Sequence, residues 1–311
     1  MYKIVFFGTP EYAIPSLELL RKHHKIILVI TQPDKATGRG QKIIAPLVKT
    51  FALTNNLEVR QSIKISQDLT LIDELKYLKP DFFVTAAFGQ ILSSEILEVP
   101  KFGTLNVHAS LLPKWRGASP IQSAILNGDK ETGITIMLTN QGLDTGDILK
   151  QKKILIEDTD DNEILTKKLS QLGADLLIET LDNYENISPI VQDNSQATYA
   201  KKITKELRFI DLEKETGETI IRRLRALSPS PKISFSLELN KKISLIKIIS
   251  AEFLKEKSID SNLLDINNNK IFKFNNNILV KCKDGFIKLI KVQPQDKNIM
   301  NAEDWFRGIK F

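Results

Sequence analysis

Residues 3–10, Lys-Ile-Val-Phe-Phe-Gly-Thr-Pro, decide the fold of this chain. The apolar run from Ile4 to Phe7 leads directly into a Gly-Thr-Pro turn, which is the pattern of a short buried strand. The run is too short for a secretory signal, and no apolar stretch of the chain approaches the ~20 residues that cross a bilayer. We therefore expect a cytoplasmic protein that does not enter a membrane.

Similar apolar runs recur along the first 180 residues and alternate with amphipathic patterns. Strands are predicted at 3–8, 26–31, 81–87, 104–109 and 133–139, and helices at 15–22 and 67–78. Near-continuous apolar strands that alternate with amphipathic helices indicate an α/β domain whose parallel sheet is covered on both faces. Residues 147–157 alternate like a further strand, and residues 161–184 have the pattern of a long helix that closes the domain.

The remainder of the chain has a different character. From about 185 to 207 the pattern fades into Asn, Ser, Gln, Asp and Lys, which is typical of a linker. A helix is predicted at 215–226, and short strands with Asn-, Asp- and Gly-rich turns follow at 233–239, 243–249, 271–274, 278–283 and 286–292. This rhythm is typical of a small antiparallel barrel. We expect two domains, at 1–189 and 208–311, joined by a linker at 190–207.

The charge of the chain is unevenly distributed. Residues 201–311 hold 23 Lys and Arg against 14 Asp and Glu, a balance of +9 within a net charge of +6 for the whole chain. A positive excess in one region suggests a polyanionic partner. On charge alone, lysines that are merely solvated explain the excess equally well.

The residues that point to chemistry lie in the stretch Leu-Asn-Val-His-Ala-Ser-Leu-Leu-Pro-Lys-Trp-Arg-Gly at 105–117. Asn106 and His108 are two residues apart on a predicted strand, so their side chains leave the same face. Further along, a glycine-punctuated loop at 141–147 carries Asp144. Three such groups at one sheet edge could form a proton-transfer site. The residues alone leave open that Asn106 and His108 only satisfy neighbouring backbone groups.

At these residues the chain resembles the folate-dependent formyltransferases. The resemblance covers nearly the whole chain and implies a Rossmann-like formyltransferase domain followed by a small β-barrel, OB-like domain. It implies Asn106, His108 and Asp144 as catalytic residues and 10-formyltetrahydrofolate as the donor co-substrate. Asn106 and His108 would donate hydrogen bonds to the oxyanion of the tetrahedral intermediate, and Asp144 would assist proton transfer. No metal is required, and the single cysteine, Cys282, cannot supply a thiolate metal cage.

The same resemblance implies a folate site. An apolar slot with backbone polar groups suits a flat pterin ring. Composition alone would assign its Ile and Leu residues to a hydrophobic core, so their role as a ligand wall depends on the resemblance. The residues expected there are Gln90, Ile91, Leu92, Ser110, Leu111, Leu112 and Pro113.

A long loop at 30–42 bears on which amine accepts the formyl group. Most such loops in α/β units have about 2–6 residues, and a longer one is often functional. This loop resembles the one by which the formyltransferases that act on methionyl-tRNA engage the acceptor stem. With the basic C-terminal region, it implies initiator methionyl-tRNA as the partner. Nothing in the sequence demands an oligomer, so a monomer is expected. The basic residues expected to contact the tRNA are Lys35, Arg39, Lys42, Lys201, Lys202 and Lys205.

The same residues bear on three other functions. A formyltransferase for a small amine, such as a sugar nucleotide or a purine precursor, would share the core but would not need the 30–42 loop or the basic C-terminal region. A dehydrogenase would need glycines spaced as G-x-G-x-x-G, which the turn at 8–10 lacks. A non-catalytic RNA-binding protein would explain the basic region but would leave Asn106, His108 and Asp144 without a role.

Overall fold

A computed structural model describes residues 1–37, 42–239, 242–255 and 271–309. The chain divides into two compact units. The first unit comprises Met1–Pro120, Glu131–Leu155 and Thr166–Ala200, and the second comprises Ile121–Lys130, Ile156–Leu165 and Lys201–Phe311. The domain boundaries proposed from the sequence remain predictions. No helix among the described residues is both long and apolar enough to cross a membrane.

The first unit is built on a seven-stranded mixed sheet. In chain order its strands, with those of two small two-stranded sheets, are β1 (Lys3–Gly8), β2 (Lys25–Thr31), β3 (Lys35–Thr37), β4 (Lys42–Ile44), β5 (Val59–Gln61), β6 (Phe82–Ala86), β7 (Thr104–His108), β8 (Arg116–Gly117), β9 (Glu131–Leu138), β10 (Ile148–Leu155) and β11 (Tyr199–Ala200). The order across the large sheet is β10-β9-β7-β6-β1-β2-β5. The α/β fold class predicted from the sequence is confirmed.

The central strands are buried on both faces, as their unbroken apolar pattern predicts. Ile4, Val5, Phe6 and Phe7 of β1 are fully buried between β2 and β6. Both neighbours run parallel to β1, and β7 runs parallel to β6. The side chains on one face join a core beneath the surrounding helices.

β9 and β10 depart from the parallel arrangement of the other strands in the large sheet. β9 pairs antiparallel with both β7 and β10. The connection from β9 to β10 has only nine residues, 139–147, and a parallel pair needs a crossover of about a dozen or more. Because β9 is antiparallel to β7, its last residue, Leu138, pairs with Leu105 near the start of β7. The 139–147 loop therefore folds back to reach the middle of β7.

The helices up to residue 182 are α1 (Ile14–His23), α2 (Leu47–Thr54), α3 (Leu69–Leu78), α4 (Ser94–Leu97), α5 (Pro120–Asn127) and α6 (Asn162–Asp182). The helices predicted at 15–22, 67–78 and 161–184 are confirmed as α1, α3 and α6. α3 begins where the Asp68 side chain accepts a hydrogen bond from the backbone nitrogen of Leu71, which satisfies an otherwise unpaired donor of the first turn.

The segment predicted as a long loop after β2 contains a small hairpin. β3 pairs antiparallel with β4, with Lys35 opposite Ile44 and Thr37 opposite Lys42. Strands of three residues are too short to give a recognisable alternation in the sequence. Arg39 lies outside the described residues.

The second unit contains an antiparallel sheet that forms a half-barrel, as expected of the predicted OB-like class. Its strands are β12 (Ser234–Leu239), β13 (Lys242–Lys255), β14 (Ile271–Phe274), β15 (Asn277–Cys282), β16 (Gly285–Pro294) and β17 (Met300–Asn301). Helices α7 (Gly217–Ala226) and α8 (Ala302–Arg307) supply Ile220, Ala302 and Trp305 to its core. The predicted strands and the helix at 215–226 are confirmed, although β13 extends well beyond the predicted 243–249.

Candidate active site

Asn106 lies in the middle of β7. Its amide oxygen accepts a hydrogen bond from Oγ1 of Thr85 on the neighbouring strand β6, at 2.9 Å. Since this bond occupies the oxygen, the amide nitrogen points the other way and lies 3.5 Å from Oδ1 of Asp144. Asn106 is thus oriented as a hydrogen-bond donor beside that carboxylate. Thr85 is a functional candidate that the sequence reasoning missed.

His108 follows on the same face of β7 and is 5% exposed. Its Nε2 lies 3.0 Å from the backbone oxygen of Trp115. A carbonyl can only accept, so this nitrogen carries a proton. Nδ1 lies 3.7 Å from Oδ2 of Asp144. A ring with one proton therefore turns a lone pair toward the carboxylate, and a second proton on Nδ1 would lie between the two groups.

Asp144 lies in the loop between β9 and β10, with its backbone in the left-handed region at φ 52°. Its Oδ2 accepts a hydrogen bond of 2.8 Å from the backbone nitrogen of Gly117. The loop is tightly constrained, because a Cβ on Gly146 would lie 1.6 Å from the backbone oxygen of Leu138. The structure thus brings together the three side chains that the sequence assigned to catalysis, by a route that the sequence did not indicate.

A further layer of hydrogen bonds holds the Asp144 loop. Nε2 of Gln192 donates to the backbone oxygens of Asp144 and Gly146, at 2.9 and 2.7 Å. Its Oε1 accepts from Nε and Nη2 of Arg116, at 3.1 and 2.7 Å. Both side chains are buried. Gln192 was missed because residues 185–207 carry no periodic pattern that would distinguish it from a linker.

The Ser110–Pro113 run, expected to bind folate, forms a tightly held turn directly after β7. Ser110 is fully buried, and its hydroxyl donates to the backbone oxygen four residues later at 2.6 Å. Oγ1 of Thr135 donates to the backbone oxygen of Ser110 at 2.7 Å and accepts from the backbone nitrogen of Leu112 at 3.1 Å. Leu112 is buried and joined to Pro113 by a cis peptide bond, whereas Leu111 and Pro113 are half-buried.

The second run expected to bind folate follows β6, the neighbour of β7. Gln90 uses both ends of its side chain, since Nε2 donates to the backbone oxygen of Ser62 and Oε1 accepts from the backbone nitrogen of Ile65, each at 2.8 Å. Leu92 is buried in the core. Ile91, in contrast, is 79% exposed. Gln90 and Leu92 therefore anchor this loop, while Ile91 faces outward.

The hairpin formed by β3 and β4 presents Lys35 and Lys42 on the surface of the first unit. Its base is held by Lys49, whose Nζ bonds to both carboxylate oxygens of Asp34, at 2.9 and 2.8 Å, and to Oε1 of Gln61 at 2.7 Å. The hydrogen bond from Lys49, followed by that from Gln61, lowers the pKa of Asp34.

Three further lysines expected to contact the tRNA, Lys201, Lys202 and Lys205, lie in the second unit. All three are exposed. Their contact with RNA remains a prediction.

Comparison with known proteins agrees with this fold. The Formyl transferase family matches residues 2–181, and the Formyl transferase, C-terminal domain family matches residues 202–310. The methionyl-tRNA formyltransferase of Caldicellulosiruptor saccharolyticus is 46% identical, over 99% of this chain and 97% of its own length. That of Thermodesulfovibrio yellowstonii is 42% identical, over 99% of this chain and 96% of its own length.

Solved structures share the fold at lower identity. An N-formyltransferase from Helicobacter canadensis, in complex with folinic acid and dTDP-3-aminofucose, superposes with a TM-score of 0.65 and 24% identity, covering 93% of this chain and 99% of that one. HypX from Aquifex aeolicus, in complex with tetrahydrofolic acid, gives a TM-score of 0.62 and 16% identity, covering 98% of this chain and 47% of that one. At these identities the likeness shows the fold alone.

The fold and the family matches together define the class of the protein, which is a formyltransferase. Within that class, the particular family is decided by curated relatives that are 46% and 42% identical over 99% of this chain. The chain belongs to the methionyl-tRNA formyltransferase family. The family and the enzyme class predicted from the sequence are confirmed.

Proposed function

We propose that this chain, acting as a cytoplasmic monomer, transfers the formyl group of 10-formyltetrahydrofolate to the amino group of methionine on initiator methionyl-tRNA. The observation that carries the proposal is the convergence of Asn106, His108 and Asp144 in the first unit, with a donor amide and a histidine ring both facing one carboxylate. The membership of the chain in the methionyl-tRNA formyltransferase family supports methionyl-tRNA as the acceptor of the formyl group.

In the first step, the amine of the methionyl group attacks the formyl carbon of the donor, and an oxyanion develops. The bond from Thr85 on the neighbouring strand occupies the amide oxygen of Asn106. The amide nitrogen therefore points away from Thr85 and toward Asp144. This fixed orientation suits a donor aimed at the developing charge. Hydrogen-bond donors that are fixed in advance stabilise such a transition state without reorganising.

Proton transfer accompanies the attack. The amine must lose a proton, and the folate nitrogen must gain one before it leaves. Nδ1 of His108 faces the Asp144 carboxylate, while Nε2 is held by the backbone oxygen of Trp115. A proton taken by Nδ1 is stabilised by the carboxylate and can then pass to the leaving nitrogen. General acid–base steps of this kind contribute about 100- to 10,000-fold in rate.

The donor would bind between the loops that follow β6 and β7. Adjacent parallel strands end at the same sheet edge, where open α/β sheets bind ligands. Ser110, Leu112, Gln90 and Leu92 hold these loops from within, so the pterin ring would meet their backbone groups and the outward side chain of Ile91. Leu111 and Pro113, both half-buried, would complete the apolar wall.

The tRNA would contact the basic hairpin of the first unit and the lysines of the second. Lys35 lies on β3 and Lys42 on β4, and Arg39 falls between these two strands in the sequence. Lys201, Lys202 and Lys205 are exposed, as contacts with phosphate groups require. Such contacts give affinity that falls steeply with salt concentration and carry little sequence information.

The test compares formyl transfer from 10-formyltetrahydrofolate to charged initiator and charged elongator methionyl-tRNA. We expect strong activity on the initiator alone. Arg39→Ala should raise KM for the tRNA and leave KM for the donor unchanged. Folate binding without activity on either tRNA would contradict the acceptor and point to a small amine instead.

A further inference from the structure

Residues 190–200 contact both the loop that carries Asp144 and the turn that follows His108, although their composition is that of a linker. Ile190 forms an antiparallel bridge with Ile148, at the end of the Asp144 loop. At the other end of the segment, β11 pairs with β8, and the backbone nitrogen of Arg116 donates to the backbone oxygen of Thr198 at 2.9 Å. The segment therefore fastens together the loop that carries Asp144 and the turn that follows His108. All of these residues lie in the first unit.

Gln192 is the point at which this segment holds Asp144. One of its two donor bonds goes to the backbone oxygen of Asp144, the residue with the left-handed backbone, and the other goes to that of Gly146 two residues later. A non-glycine residue keeps a left-handed backbone only when its surroundings fix it there. The bonds from Gln192 supply that constraint on the backbone, and the bond from Gly117 supplies it on the carboxylate.

Arg116 determines which way the amide of Gln192 faces. A guanidinium group only donates hydrogen bonds, so the oxygen of the Gln192 amide must face Arg116 and the nitrogen must face the two backbone oxygens. Nη2 of Arg116 also donates to Oδ1 of Asn194 at 2.9 Å. Arg116 is 2% exposed, and Gln192 is 6% exposed. Both hydrogen-bonding partners are therefore shielded from bulk solvent.

We propose that Gln192, oriented by Arg116, is a positioning residue for formyl transfer. It fixes the backbone of Asp144 and so directs the carboxylate at Asn106 and His108. This inference rests on the proposed function of Asp144. A displacement of about 1 Å at a reacting group can cost about 100-fold in rate, even when the altered residue does not touch the substrate.

Two substitutions separate positioning from a merely structural role. Gln192→Glu keeps an oxygen toward Arg116 but places the other oxygen against the two backbone oxygens of the Asp144 loop. Gln192→Ala removes both sets of bonds. Gln196→Ala is the matched control, because Gln196 is exposed in the same segment and its Nε2 donates to Oδ2 of Asp193 at 2.8 Å.

The experiment measures kcat, both KM values and folate affinity for each variant, alone and combined with Asp144→Ala. We expect both Gln192 variants to lower kcat by about 10- to 100-fold, while folate affinity and both KM values stay near wild type. Gln196→Ala should behave as wild type. Added to Asp144→Ala, Gln192→Ala should cause no further loss, because the two residues act through one group.

Three results would overturn the inference. Wild-type kcat in both Gln192 variants, with Asp144→Ala inactive, would show that the segment does not position the carboxylate. Losses that multiply in the double variant would show that Gln192 acts independently of Asp144. Wild-type kcat in Asp144→Ala alone would instead show that the proposed role of Asp144 is wrong, and the inference would fall with it.

Discussion

The backbone nitrogen of Gly117 donates a hydrogen bond of 2.8 Å to Oδ2 of Asp144 and so joins strand β8 to a loop 27 residues further along the chain. Gly117 has φ 118°, a conformation that side-chain-bearing residues rarely adopt. A Cβ at this position would lie 2.7 Å from the backbone oxygen of Ala200. The residue must therefore be glycine both for its backbone conformation and for the close approach of β11.

Gly117→Ala should accordingly lower both activity and stability. The strained backbone should cost about 1–3 kcal/mol in the free energy of unfolding, and the shift of the donor should lower kcat. Urea unfolding and steady-state kinetics measure the two effects. Gly308→Ala is the control, because Gly308 has an ordinary φ of −87° and an added Cβ would meet only the backbone oxygen of Trp305, at 3.5 Å. Equal unfolding midpoints for the two variants would contradict the prediction.

The sequence predicts the central strands of the first unit because their burial on both faces leaves an unbroken apolar run. Phe6 and Phe83 are both fully buried, on neighbouring strands. Strand direction leaves no such trace. The pattern of β9, buried from Thr132 to Met137, would be the same in a parallel or an antiparallel strand. The nine-residue connection, 139–147, accounts for the antiparallel pairing of β9 with β10. The apolar pattern carries no information on strand direction.

The candidate site likewise has a part that the sequence predicts and a part that it does not. Asn106 and His108 share a face because the period of a strand is two residues, so the sequence alone placed them together. Gln192 reaches the backbone of Asp144 across 48 residues. Its contact is with backbone oxygens, which every residue has, so no pairing of side-chain types could have revealed it. Long-range contacts to the backbone are therefore the part of the site that the sequence did not predict.

Substitution of the three converging side chains tests the catalytic assignment. Asn106→Ala, His108→Ala and Asp144→Ala should each lower kcat by about 100- to 10,000-fold, because each removes a donor or a proton-transfer group. Folding should be retained, and circular dichroism with folate binding would show it. Ser195→Ala is a control in the same unit, since Ser195 is exposed and its hydroxyl bonds to Asp193. Near-normal rates in all three alanine variants would place the chemistry elsewhere.

Substitution of Lys49 tests whether the hairpin formed by β3 and β4 takes part in tRNA binding. Lys49→Met removes the bonds to Asp34 and Gln61 while keeping the length of the side chain. We expect KM for methionyl-tRNA to rise by up to about fivefold, the size of effect typical of partly exposed ion pairs, while KM for the donor stays unchanged. Lys22→Met, which removes an exposed ion pair with Glu18 on α1, is the matched control. A rise in KM for the donor alone would assign the hairpin to the folate site.

Cys282 gives a prediction about pH in the second unit. Its side chain is fully buried, and burial raises the pKa of the thiol from 9.0 to about 11. The folded chain therefore keeps this proton between those pH values, whereas the unfolded chain releases it. The stabilisation that follows is complete below pH 9.0 and is lost as the pH rises through about 11.

The free energy of unfolding of the wild type should therefore fall more steeply from pH 9.0 to about 11 than that of Cys282→Ala, which has no thiol to titrate. Urea titrations of both proteins across this range measure the difference, with the cavity left by alanine entering as a constant offset. At pH 8 a thiol reagent should modify the native protein slowly and the urea-unfolded protein fast, because only the thiolate reacts and only unfolding exposes it. Parallel stability curves would show that the thiol titrates alike in both states.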